Sequence, residues 1–264
     1  MWNAWGYVYF SDEKYDQAIQ AYEVKPPYKL CFNINQIIFH FIYNISLDNF
    51  GPRIILIGYQ KHIVKMWAWE YHKDLGAKFV SFAGYEMPVQ YEGVTVEHET
   101  VRNHVGIFDV SHMGEFLIEG EEAFQLIQKI SSNDASKLNI GKAQYSCMPN
   151  NSGGIVDDLI IYRIKENTYL LVVNASNIEK DWNWIESQNT FKASQRNLSD
   201  DYALLAIQGP KAIESMQSLT SIDLAEIPYY SFKIADFAGL EHVIISATGY
   251  TGSGGFEIYF KNDL

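Results

Sequence analysis

The chain is short of cysteine, with Cys31 and Cys147 the two in 264 residues. Two thiols cannot build a disulfide framework, and without a CxxC spacing they do not read as a zinc site. The expectation is a reducing cytoplasm. Bases are scarce as well, 20 against 32 acids, which leaves a net charge of −12. That excess repels a phosphate backbone and argues against nucleic acid as a partner. Long apolar runs are also missing. Residues 30–47 come closest, but Asn33, Asn35, Gln36, His40 and Asn44 interrupt them, whereas a membrane span needs roughly 20 nearly unbroken apolar residues. The opening MWNAWGYVYFSDEKYD has no basic start followed by an apolar run, so no signal peptide is read there. What is present is a soluble composition, 47% hydrophobic and 15% aromatic, enough for a sizeable core.

Charge divides the chain. Residues 1–65 carry six bases and five acids, so nearly all the negative charge follows them. Within them NAWGYVYFSDEKYDQAIQAYEVKPP resembles one tetratricopeptide repeat, with Trp2, Gly6, Tyr9, Tyr15, Ala18 and Tyr22 at its helix–turn–helix spacing. Pro26-Pro27 ends any helix there. A single repeat cannot bury its apolar face, since stacking needs about three. Two readings therefore stand for residues 1–65: a poorly packed or upstream-translated segment, or a partner-binding repeat.

Residues 66–264 form the second unit. MWAWEYHKDLG predicts a short helix ending at Gly76, and AKFVSFAGYEMPVQY an extended run broken by Gly84 and Pro88. TVEHETVRNHVG predicts a helix capped by Thr95, and IFDVSHMGEFLIEG a strand that turns at Gly114. Hairpins are expected around residues 150–154 and across LEHVIISATGYTGSGGFEIYF, with a buried strand in TYLLVVNAS and a helix in NIEKDWNWIESQN. YALLAIQGPKAIESMQ reads as a strand followed by a helix opened by Pro210. Strands and helices alternate without a βαβ rhythm. The fold class is α+β, with mixed or antiparallel sheets flanked by helices.

Several residues could carry chemistry. His98 and His104 lie about 240° apart on a helix and cannot share a ligand face, and HExxH is absent, so no metal site is read. Ser111 and His112 point opposite ways in a strand, and no GxSxG elbow supplies a nucleophile; both read as hydrogen-bonded structural groups. Asp157 and Asp158 also point to opposite faces and read as turn and strand-edge polar groups. Asp109 is different, because Ile107, Phe108 and Val110 surround it with apolar wall. Either it is a buried functional carboxylate or it caps the turn before Gly114. In GGFEIYF, Glu257 and Tyr259 share one face while Phe256, Ile258 and Phe260 share the other. Behind a glycine-rich loop without the GK[ST] ending, Glu257 suits a ligand that offers two adjacent N–H donors. The alternative is a solvent-facing glutamate on an edge strand.

GAKFVSFAGYEMPVQY, FDVSHMGEF, YSCMPNNSGGIVDDLIIYR, YLLVVNASNIEKDWNW, LAIQGPKA and ISATGYTGSGGFEIYF stand in the order found in the glycine cleavage system T-proteins, the aminomethyltransferases, which residues 66–264 resemble. The resemblance implies that the methylene of the aminomethyl group on the lipoyl arm of H-protein passes to tetrahydrofolate, releasing ammonia. It implies a catalytic role for Asp109 and pterin binding by Glu257, with Tyr250 as the loop tyrosine and Asn174 on the pocket wall. It implies no metal, and it requires Asp109 and Glu257 to converge on one cavity. Family members continue beyond the position of Leu264 through an arginine-bearing segment and a C-terminal β-barrel domain, which this sequence lacks. Where many relatives have an acidic pair in the glycine loop, Ser253-Gly254 stands here. A folate-binding module without turnover is the second reading.

Overall fold

A computed structural model describes residues 64–262. The tetratricopeptide-like reading of residues 1–65 lies outside them, except for the last two positions. Those two form β1 (Val64–Lys65), which pairs in parallel with Tyr85–Glu86.

Two five-stranded sheets and one small sheet make up the fold. In chain order the strands are β2 (Lys78–Phe82), β3 (Tyr85–Gln90), β4 (Gly106–Asp109), β5 (Gly114–Glu119), β6 (Ala143–Pro149), β7 (Ile155–Lys165) and β8 (Thr168–Val173). They continue with β9 (Ser194–Asn197), β10 (Tyr202–Gln208), β11 (Phe232–Phe237), β12 (Leu240–Ser246) and β13 (Gly255–Lys261). The orders are β11-β12-β13-β10-β4 and β6-β7-β8-β5-β9, antiparallel throughout, and the small sheet is β1-β3-β2. The longer helices are α1 (Trp69–Asp74), α2 (Val94–Asn103), α3 (Ala123–Ile130), α4 (Ile178–Gln188) and α5 (Ala212–Met216).

Strand periodicity explains the layering. Central strands of the large sheets, β8 and β10, are apolar on both faces, the pattern of a sheet covered on each side. Along β7, Leu159 and Ile161 join Phe116, Leu171 and Val173 under α3 and α4. Tyr162 points the other way, to Leu170, Val172, Leu204, Ala206 and Tyr259, in a core shared by the two large sheets. Along β10, Leu205 and Ile207 join Phe256, Ile258 and Phe260 in a third core with Ala68 and α5. The α+β class holds. So does the two-face division of GGFEIYF, whose side chains on opposite faces fill different cores.

Three local expectations shift. The N-cap of α2 is Gly93 rather than Thr95. Glu97 does the capping from inside the helix, accepting the N–H groups of Tyr91 (2.8 Å) and Gly93 (2.9 Å). The strand through FDVSH ends at Asp109, and the chain turns at Ser111–Met113, before Gly114 and not at it. Pro210 precedes the Lys211 cap of α5 and so does not open the helix. Pro88 sits within β3, opposite Phe79 and next to a register shift, where a missing N–H is tolerated.

Candidate active site

Glu257 lies on β13 between Ala206 of β10 and Ser246 of β12, so it is central and not on an edge strand. It shares a face with Tyr259 and looks into the space between the two large sheets. Thr248 Oγ1 donates to Glu257 Oε2 in a short bond, and Tyr259 Oη donates to the same oxygen at 3.4 Å. The bonds from Thr248 and Tyr259 thus both fall on Oε2. Behind it Tyr162 Oη meets Tyr259 Oη (3.0 Å) and Thr248 Oγ1 (3.1 Å), and Ser246 Oγ meets Thr248 Oγ1 (2.8 Å). Burial pushes the Glu257 carboxyl up, and the bonds from Thr248, Tyr259 and Tyr162 hold it back only in part.

The loop between β12 and β13 is built around Gln208, buried at the end of β10. Its Nε2 donates to Thr248 O and Phe256 O (3.1 Å each), and its Oε1 accepts from Thr251 Oγ1 (2.9 Å). Gly249, at φ +149°, lies so close that a Cβ there would stand 2.1 Å from Gln208 Oε1. Arg102 of α2 ties the loop from outside by donating to Ser253 Oγ (2.8 Å). These anchors leave Tyr250 67% exposed at the mouth. Beside it stands Tyr145, whose Oη donates to Asp158 Oδ2 (2.6 Å). The Asp158 bond, then burial, then charge at Asp158, Cys147 and Tyr250 push the Tyr145 phenol upward. Asn174 Nδ2 donates to Asp158 Oδ1 (2.9 Å) and Asp157 Oδ1 (3.2 Å). One amide therefore gathers two acids expected on opposite faces, because Asn174 sits just past the end of β8, where it can reach both. Tyr145 thus stands between Tyr250 and the group formed by Asn174, Asp157 and Asp158.

Asp109 is elsewhere. It pairs with Leu205, whereas Glu257 pairs with Ala206, and neighbours on β10 face opposite sides of the sheet. The expected convergence of the two acids on one cavity is therefore not found. The Asp109 side chain is fully buried. Its Oδ2 accepts from Ala68 N–H (3.0 Å) and meets His72 Nε2 (3.2 Å), while Oδ1 accepts from Ser111 N–H (3.1 Å). Burial alone would raise this carboxyl, but His72, Ser111 and Ala68 outweigh it and hold it below the usual range. The two sequence readings of Asp109 coexist: it is a buried carboxylate, and its Oδ1 closes the turn. Ser111 Oγ accepts from Leu204 N–H (3.0 Å), in keeping with a structural role. Burial drives the His112 imidazole down to about 4, although the Asp109 charge opposes it.

Sequence reasoning missed His72, Tyr91, Gln208 and the Thr248–Tyr162–Tyr259 hydroxyls. It also missed Asp181, fully buried beside Asp157, which burial first and the Asp157 bond second push up to about 8. One faint signal existed, a histidine on the apolar side of the helix WEYHKD. Among the described residues no three His, Cys, Asp or Glu side chains cluster as metal ligands, and no helix is long and apolar enough to cross a membrane.

Two antiparallel sheets that share a core and are flanked by helices define an α+β domain, with a partly buried carboxylate behind a glycine loop. The profile of the GCVT N-terminal domain matches residues 68–264, and the chain belongs to that family. It is 73% identical over 192 residues to an aminomethyltransferase of Flavobacterium psychrophilum, covering 73% of this chain and 53% of that protein. An aminomethyltransferase of Bacteroides fragilis is 59% identical over 194 residues, covering 74% and 54%. The crystal structure of glycine cleavage system aminomethyltransferase T from Bartonella henselae superposes with a TM-score of 0.70 at 34% identity, over 76% of this chain and 54% of that one. The chain spans about half the length of the curated relatives it matches.

Proposed function

We propose that the chain works as an aminomethyltransferase of the glycine cleavage system, with tetrahydrofolate and the aminomethyl-loaded lipoyl arm of H-protein as substrates. The observation that carries this is Glu257, a partly buried carboxylate that accepts from Thr248 and Tyr259 through one oxygen, Oε2. A pterin displays N3–H beside a 2-amino group, and two adjacent donors fit a carboxylate bidentately. In this reading Tyr250 is the loop tyrosine near the folate and Asn174 a pocket-wall residue, while the hydroxyls of Thr248 and Tyr259 hold the acid in place.

In this reading Asp109 stabilises the cationic iminium through which a methylene moves from sulfur to folate nitrogen, since a buried negative charge acts strongly where water is excluded. Atoms balance simply: the two folate N–H protons end on the departing sulfur and nitrogen. Because Asp109 faces away from Glu257, the reacting carbon would reach it around the free edge of β4. β4 and β13 flank β10, so about 10 Å separates them. Residues 66–264 are taken as the unit of function, with residues 1–65 apart from it. In this reading the setting is cytoplasmic.

Ammonia release with loaded H-protein and tetrahydrofolate tests the reading. Asp109→Asn should abolish most of it and Glu257→Ala should weaken folate binding. The separation of the two acids favours one competitor, a folate-binding module without turnover. Folate binding in calorimetry, together with ammonia release unchanged by Asp109→Asn, would support that module.

A further inference from the structure

Asp109 does not end in the protein interior. His72 of α1, 4% exposed, puts Nε2 3.2 Å from Asp109 Oδ2 and Nδ1 2.6 Å from Tyr91 Oη. Tyr91, just after β3, is 37% exposed. A continuous line of hydrogen-bonded groups thus runs from a fully buried carboxylate through an imidazole to a phenol at the surface, across three elements far apart in sequence. The other titratable groups facing this line are Glu97, which accepts the Tyr91 N–H (2.8 Å), and His112, whose ring feels the Asp109 charge.

We propose that His72 and Tyr91 relay protons between solvent and Asp109. The proposal rests on the reading of Asp109 given above. An ionised Asp109 holds the proton of His72 on Nε2, which leaves Nδ1 to accept from the Tyr91 hydroxyl. Uptake moves the Nε2 proton to Asp109, the phenol proton to Nδ1 and a solvent proton to Tyr91. Asp109, now neutral, gives its proton to the departing sulfur or nitrogen. It then takes one from a reacting folate N–H, and the same transfers run backwards, returning a proton to solvent and the ring to its first tautomer. No net proton is gained or lost over the cycle. His72 and Tyr91 touch no reacting atom in this scheme and are positioning residues for Asp109.

Two readouts test it. In the 264-residue chain, nitrogen-15 NMR of labelled histidine should show His72 protonated on Nε2, with the Nδ1 signal moving to higher frequency in Tyr91→Phe as its donor is lost. An Nδ1-protonated ring, or one indifferent to Tyr91→Phe, overturns the relay, and this readout needs no turnover. In the ammonia-release assay Tyr91→Phe should lower kcat about a hundredfold, within the range of positioned proton transfer, leave the folate KM unchanged and alter the pH profile. His72→Gln should do the same where it folds, while Tyr91→Phe removes only a surface hydroxyl. Wild-type kcat and pH profile in Tyr91→Phe, beside an inactive Asp109→Asn, sink the relay alone. Full activity in Asp109→Asn sinks instead the reading on which it rests.

Discussion

Asp109 and Glu257 stand at neighbouring registers of β10, opposite Leu205 and Ala206, and so project from opposite faces of one sheet. One strand, β10, separates them: Glu257 belongs to a hydroxyl network between the sheets, Asp109 to a backbone and imidazole cradle beneath α1. Each can be perturbed without touching the other.

Asp109 organises its surroundings whatever its part in turnover. Asp109→Ala would leave the N–H groups of Ala68 and Ser111 buried without acceptors. Each orphan costs about 1–3 kcal/mol, so urea unfolding should show a loss of about 3 kcal/mol. Asp109→Asn retains one acceptor oxygen and should lose less. Equal losses in the two variants would mean that the cradle contributes nothing.

Folate binding should depend on the ionisation of Glu257. Removing charge-assisted bonds costs about 1.5–3 kcal/mol, so Glu257→Ala should weaken tetrahydrofolate binding about ten- to a hundredfold in calorimetry. Because burial raises the Glu257 carboxyl, acidification should weaken binding at a higher pH than an ordinary glutamate would dictate. Affinity that stays flat with pH would remove Glu257 from the binding role.

The Asp157–Asp181 pair should be visible in stability. Burial first, and then the neighbouring Asp157, push the Asp181 carboxyl up to about 8. Between the ordinary value of 3.8 and about 8 the folded chain holds a proton that the unfolded chain has released. Stability therefore falls as pH rises through that window. Asp181→Asn should flatten the slope in thermal melts; an unchanged slope would place the proton elsewhere. Asp157, held below its ordinary value against the pull of burial, contributes only at the acid end.

The glycine loop tolerates no side chain where it leaves for β13. At Gly255, φ +125°, a Cβ would stand 2.2 Å from Ile207 O, a backbone atom that cannot swing away. Gly255→Ala should cost more than the roughly 1 kcal/mol of an ordinary glycine change, with loss of folate binding. At Gly254 nothing lies within 4 Å, though φ is +74°, so alanine there should be milder. Equal melting temperatures for the two variants would contradict this.

Much of the candidate site was legible because its signals are local. Alternation alone put Glu257 and Tyr259 on one face and Phe256, Ile258 and Phe260 on the other. The apolar neighbours of Asp109 announced its burial. Legibility failed wherever the answer needed two distant segments. His72 precedes Asp109 by 37 residues, and nothing local ties WEYHKD to FDVSH. Gln208 looked like an ordinary strand end, yet it carries three loop contacts from β13 and the turn before it. The Thr95 cap failed more simply, since Glu97 accepts the Tyr91 and Gly93 N–H groups, Gly93 takes the cap position, and Thr95 lies two residues further in.

The amino-acid order by itself settled strand periodicity, the glycine loop with its backbone freedom, and the presence of two out-of-place carboxylates, because these follow from covalent geometry and near neighbours. Only tertiary structure decided that those carboxylates face apart, that Asn174 gathers Asp157 and Asp158, and that Asp109 meets an imidazole and, through it, a surface phenol. Which face a strand residue shows to which partner is set by register against other strands. Register is fixed by the burial of whole faces at once, a sum that no short stretch of sequence contains.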